Sequence, residues 1–160
     1  MNLAQMYEVG RGVPRDPQRA ATLYQRAVTL SQRACDANTL RACTALGVAY
    51  AGGIGVPRND ARAVALYQRA CDGGEPAGCH HLGQHYERGL GVSKKDPNQA
   101  RALYQRACEG GAANGCTDLG RMFEKGAGVP KDPAQAAAFY QRGCSGGDTV
   151  ACDALKWLKK

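Results

Sequence analysis

Aromatic side chains are scarce in this chain of 160 residues, which holds seven Tyr, two Phe and one Trp. The apolar fraction of 44% is carried largely by alanine, so a thick aromatic core is excluded and a thin core needs reinforcement. Long apolar runs are missing as well. The softest stretch, 42–56, is broken by glycines, and nothing approaches the roughly 18 uninterrupted apolar residues of a spanning helix, so no membrane partner is expected. Clustered charge is absent too. The net +7 is spread along the chain rather than gathered on a face with interleaved aromatics, which argues against nucleic acid and leaves a bias toward acidic partners. Residues 1–30 show no basic region, apolar run and small-residue cleavage site in succession.

Cysteine and glycine are abundant. Eight Cys in a chain of this length fit an oxidising compartment better than a reducing cytosol, where paired thiols usually serve metal or redox chemistry. The glycines belong to a repeat. Leu82-Gly83-x-x-Tyr86-Glu87-x-Gly89-x-Gly91-Val92 returns as Leu119-Gly120-x-x-Phe123-Glu124-x-Gly126-x-Gly128-Val129, and in weaker form from Leu46 and from Leu3. Each of the four copies is followed by Tyr-Gln-Arg (24–26, 67–69, 104–106, 140–142) and by two cysteines with seven residues between them.

Paired glycines end a helix and make a turn. Asp16-Pro17, Asp96-Pro97 and Asp132-Pro133 then place a capping carboxylate before a helix-starting proline, with Asn59 in that role in the second copy. Ala63, Leu66, Tyr67 and Ala70 fall at i, i+3, i+4 and i+7, one face of the helix that follows. Each copy is therefore helix A, glycine turn, helix B, and the small residues Ala4, Gly47, Gly83 and Gly120 let the two helices approach closely. One such pair cannot bury its own apolar face, so the copies must stack. The expected fold is all-α: an α-solenoid, a right-handed superhelix of four helix-turn-helix repeats at about 1–42, 43–78, 79–115 and 116–151. A C-terminal capping helix over 152–160 is expected to close it, with Trp157 plugging the end and a basic last turn at Lys159 and Lys160. Repeat one carries seven extra residues between Tyr24 and Cys35. Seven is nearly two turns and should lengthen helix B in phase.

These features resemble the Sel1-like repeat family, a relative of the tetratricopeptide repeat, over essentially the whole chain. The added cysteines, one at the end of helix B and one opening the next helix A, resemble the secreted Helicobacter cysteine-rich subfamily. That resemblance implies a secreted or periplasmic protein; cysteine-rich members of the mitochondrial intermembrane space are the alternative. Aligning Leu3 with Leu46 puts the expected helix-opening cysteine one residue before Met1, so the array, and any leader, is expected to continue upstream.

Identical spacing in every copy and Gly-Gly linkers favour the local pairs Cys35–Cys43, Cys71–Cys79, Cys108–Cys116 and Cys144–Cys152, with zinc the competing use of the thiols. His80, His81 and His85 share one helix, but no Glu completes a His-Glu-x-x-His motif. They are read as surface histidines unless Asp118 joins them, and no metal or cofactor is expected. Arg26, Arg69, Arg106 and Arg142 sit in the last turns of their helices, where a cation suits the dipole. The aligned tyrosines are read as packing.

The subfamily resemblance also implies penicillin binding or β-lactamase activity. The three serines, Ser31, Ser93 and Ser145, are followed three positions on by Ala34, Asp96 and Asp148, so Ser-x-x-Lys is absent, as are Ser-Asp-Asn and Lys-Thr-Gly. No catalytic residue is assigned. Positions shared by all copies serve the fold, which leaves recognition to the helix A positions where the copies differ. By resemblance to tetratricopeptide arrays, whose helix A lines the concave groove, the binding candidates are His81, Gln84, His85, Arg88, Asp118, Arg121 and Lys125. The expected partner is a protein or peptide, with the net charge favouring an acidic one, or a peptidoglycan-derived or β-lactam ligand. Alkylation of the native protein followed by intact-mass measurement should add nothing before reduction and eight labels after it; eight labels without reduction would defeat the disulfide reading.

Overall fold

The computed structural model describes residues 2–158 and is all-helical over them. The helices are α1 (Leu3–Val9), α2 (Pro17–Asp36), α3 (Leu40–Gly52), α4 (Asp60–Asp72), α5 (Pro76–Arg88), α6 (Pro97–Glu109), α7 (Ala113–Lys125), α8 (Pro133–Ser145) and α9 (Thr149–Leu158). Odd-numbered helices are the A helices and even-numbered ones the B helices. Each of α3, α5 and α7 packs on the B helix of its own repeat and on that of the repeat before, which is the connectivity of an α-solenoid.

Local chemistry sets the helix limits as the sequence predicts. Gly10, Gly53, Gly89 and Gly126 end the A helices in the left-handed conformation, each N–H returning to the carbonyl four residues back. Asp16, Asn59, Asp96 and Asp132 cap the B helices, accepting from the backbone N–H three residues on at 2.9–3.0 Å. No side-chain bond caps α3, α5 or α7. Their first turns are instead bound covalently to the preceding B helix by Cys35–Cys43, Cys71–Cys79 and Cys108–Cys116, and Cys144–Cys152 ties α9 to α8. The paired Cα atoms are 4.5–4.7 Å apart. Every cysteine is used, which removes the zinc alternative.

Within a repeat, helix A lies on the tyrosine of helix B. A Cβ added at Gly47, Gly83 or Gly120 would sit 2.5–2.7 Å from a ring carbon of Tyr67, Tyr104 or Tyr140. Those three rings are almost wholly buried, while Tyr24, at the same position in repeat one, is only half-buried. Between repeats, the Tyr-Gln-Arg arginines do more than suit their own helix dipoles. Arg106 Nη2 donates to the carbonyl of Cys71 at 2.9 Å and Arg142 Nη2 to that of Cys108 at 3.5 Å. The cation thus serves the open C-terminus of the neighbouring B helix.

The extra two turns of repeat one lie within an unbroken α2, as expected. Their consequence is a change of register. The second turn glycine of repeat three, Gly91, is pressed against the backbone of Asp60, and Gly128 of repeat four against Pro97, both at the first position of the preceding B helix. Gly55 of repeat two instead meets Tyr24 and Gln25, seven residues beyond the corresponding Pro17. Repeat two is stacked on the C-terminal part of α2, and α1 is left behind by two turns.

At the other end, α9 buries Ala151 and half-buries Ala154, Leu155 and Leu158 against Ala136 and Tyr140. These occupy i, i+3, i+4 and i+7, so Trp157 falls off the stripe and is 71% exposed. It does not plug the stack. Lys156 stands where α3, α5 and α7 carry the tyrosine-facing glycine. Lys159 and Lys160 lie outside the described residues.

The glycine contact yields a signed prediction. Gly83→Ala gains up to about 1 kcal/mol of helix propensity, but forces the buried Tyr104 ring to shift, an overpacking penalty of typically 1–3 kcal/mol. Net destabilisation of roughly 1–2 kcal/mol is expected by thermal or urea unfolding, and a variant as stable as the parent would contradict the packing.

Candidate functional site

The A helices of repeats three and four are joined by side chains. His80 of α5 is 5% exposed and Asp118 of α7 is 6% exposed, and His80 Nε2 lies 2.9 Å from Asp118 Oδ2. Asn114 settles which nitrogen carries the proton. Its Oδ1 accepts from the Gly115 N–H at 2.9 Å, so its amide NH2 faces His80 Nδ1 at 3.1 Å. Nδ1 is the acceptor, and Nε2–H donates to Asp118. The second oxygen of Asp118 holds Arg121 Nη1 at 2.9 Å, and Arg121 Nη2 reaches Glu87 of α5 at 3.2 Å. Tyr104 OH donates to Glu87 at 2.7 Å, as Tyr140 OH does to Glu124.

Both nitrogens of His80 are occupied, so it is not a free base. The sequence reading of the histidines as surface groups is corrected for two of the three. His85 is also buried, its Nδ1 2.9 Å from the Leu90 carbonyl. His81 is half-buried and stacked on Tyr67, with centroids 5.1 Å apart. Burial first, then the neighbouring His80 and His85, lower its pKa and favour the neutral ring. Among the described residues no group of three or more His, Cys, Asp or Glu is arranged to hold a metal ion.

The seven binding candidates therefore divide. Asp118 is a buried member of the network, Arg121 a partly exposed one, and the Gln84 side-chain nitrogen lies 3.4 Å from His80 Nε2. His85 belongs to the core. His81 is partly accessible, and Arg88 and Lys125, equivalent positions in successive repeats, are exposed. Sequence reasoning missed Glu87 and Asn114, which complete the network. Glu87 was visible only as a repeated Tyr-Glu element whose repetition suggested fold alone.

Residues 1–32, 40–75, 76–111 and 113–148 each match the Sel1 repeat. The chain belongs to the Sel1 repeat family. Among solved structures, a Sel1 repeat protein of Oxalobacter formigenes is 28% identical, with a TM-score of 0.76 over 99% of this chain and 60% of that one. A protective antigen of uropathogenic Escherichia coli with this fold is 31% identical, with a TM-score of 0.74 over 96% of this chain and 31% of that one. Cysteine-rich protein B of Helicobacter pylori is 30% identical, with a TM-score of 0.67 over 84% of this chain and 96% of that one. This chain thus spans less than two thirds of the first two relatives. Among curated proteins no sequence matches it. The shared glycines and tyrosines lie within the matched residues, and the His80–Asp118 link lies at positions where the four repeats differ.

The tyrosines make stability sensitive to alkali. Burial first, then the charge of Asp60, pushes Tyr67 from 10.0 to about 12. Burial and the bonds to Glu87 and Glu124 push Tyr104 and Tyr140 higher still. In the unfolded chain these phenols ionise near pH 10. Above that pH the unfolded state binds fewer protons than the folded one, so stability is complete below about pH 10 and falls as pH rises toward the folded values. Unfolding midpoints should drop steeply above about pH 10, with phenolate absorbance rising in step with loss of helix. A midpoint unchanged well past that pH would show that these rings are not buried as described.

Proposed function

We propose that this protein is a disulfide-stiffened scaffold of an extracellular or periplasmic compartment that holds an acidic protein or peptide segment along its helix A face. The polar network across α5 and α7 is the observation that carries this reading. It fixes side chains of two successive A helices before any partner arrives, and it leaves no buried side-chain nitrogen or oxygen without a hydrogen-bond partner among the described residues. A face ordered in advance loses little conformational entropy on binding.

Two features favour an acidic segment. Arg121 is already matched by Asp118 and Glu87, so it positions the face, while Arg88 and Lys125 point the same charge outward one repeat apart. The net +7 then adds long-range attraction. Four disulfides support the oxidising compartment, as does the similarity to cysteine-rich protein B of Helicobacter pylori. β-Lactam chemistry has no support in the site: the histidine at its centre has both nitrogens engaged, and every thiol is in a disulfide.

The test is titration with glutamate-rich and lysine-rich peptides of equal length at two salt concentrations. Preference for the acidic peptide, weakened about tenfold in the double variant Arg88→Glu, Lys125→Glu and reduced by salt, is the expected result. Equal affinity for both peptides, or binding indifferent to that double variant, would overturn the proposal.

A further inference from the structure

The register change in repeat one opens a cavity of about 550 Å³ between α1, α2 and α3. Elsewhere in the array successive A helices meet: α3 touches α5, α5 is hydrogen-bonded to α7, and α7 touches α9. Here the extra seven residues of α2 carry α1 away along the stack by about 10 Å, at 1.5 Å per residue, and the space an A helix would cover is left open.

The walls have helical spacing. From α2 come Tyr24, Ala27, Val28 and Ser31, and from α3 come Ala45, Val48, Ala49 and Gly52; both sets fall at i, i+3, i+4 and i+7. The α3 set occupies the same helix A positions that hold His81, Gln84, His85 and Arg88 in repeat three and Asp118, Arg121, Met122 and Lys125 in repeat four. The face where the repeats differ is thus polar in repeats three and four and apolar, with small side chains, in repeat two. Val48 is 38% exposed and Ile54, at the cavity edge, 40% exposed. Among the described lining residues Glu8 supplies the one charge, and it accepts from Tyr24 OH at 2.9 Å.

We infer that this junction is a second docking site, distinct from the polar face of repeats three and four, and that it takes an amphipathic helix of a partner protein. Two ridged helical walls of small residues suit a helix laid between them, in the place an in-register α1 would hold. The partner helix presents apolar residues at i, i+3, i+4 and i+7 to Val28, Val48 and Ile54, and a Lys or Arg to Glu8. An acidic helix is disfavoured at this site by the same carboxylate, although the rest of the molecule is basic.

The experiment uses a displayed library of helices of about 15 residues, long enough to hold helical structure, with apolar residues at that spacing and variable flanking charge. Helices selected on the full chain should carry Lys or Arg at one end. They should lose at least about tenfold in affinity for Val48→Glu and several-fold for Glu8→Gln, and bind Lys125→Glu as well as they bind the parent. Deletion of residues 25–31, which restores the regular register in phase, should abolish binding while the helical content per residue is kept. Selected helices that ignore both Val48→Glu and the deletion overturn the proposal, as does sedimentation showing that a second copy of the chain covers the groove. Loss of acidic-peptide binding in the Arg88 and Lys125 variants with helix binding intact separates the two sites.

Discussion

Helix A can lie on helix B only because glycine faces the tyrosine ring. At Gly47, Gly83 and Gly120 even a methyl group would fall within 2.5–2.7 Å of ring carbons, and the approach this permits buries Tyr67, Tyr104 and Tyr140 in a protein with little other bulk to bury. Interiors packed to crystal-like density transmit such a constraint outward. The buried ring directs its hydroxyl to a glutamate of helix A in repeats three and four. In repeat two Ala51 replaces that glutamate, and Tyr67 packs instead against His81 and His85 of the next repeat. The first and last of the described A helices carry Ala4 and Lys156 at the glycine position, and Tyr24 is only half-buried.

The disulfides act on a different joint. They close the hairpin between one repeat's helix B and the next repeat's helix A, where helix A has no side-chain cap. Arginines of the following repeat bind the carbonyls of two of the same cysteines, Cys71 and Cys108. Covalent closure of the unfolded chain's loops, roughly 2–3 kcal/mol each in the chain-entropy model, and charge-assisted capping meet at one place. Tyrosine–glycine packing holds each repeat together, and cysteine and arginine hold repeat to repeat.

What these rules leave over is the set of helix A positions where the copies differ. The same helix A positions are apolar and small in repeat two and mostly polar or charged in repeats three and four. One scaffold thereby presents two faces of opposite chemistry, separated by a register change that only repeat one carries.

Much was legible in advance. The helix limits, the caps at Asp16, Asn59, Asp96 and Asp132, the close approach at the glycines and the cysteine pairing all depend on residues near one another in sequence, or on a pattern repeated four times. Local backbone chemistry and periodicity determine them. The placement of His80 against Asp118, 38 residues on, does not follow from any period, because it occurs once and depends on how far one helix rotates upon the next. Trp157 could be recognised as apolar, but its exposure was decided by which residues of α9 filled the stripe first. The seven extra residues announced a longer helix. Whether they would bulge outward or slide a whole repeat along the stack depended on where the next helix found its contacts, and only tertiary packing decides that.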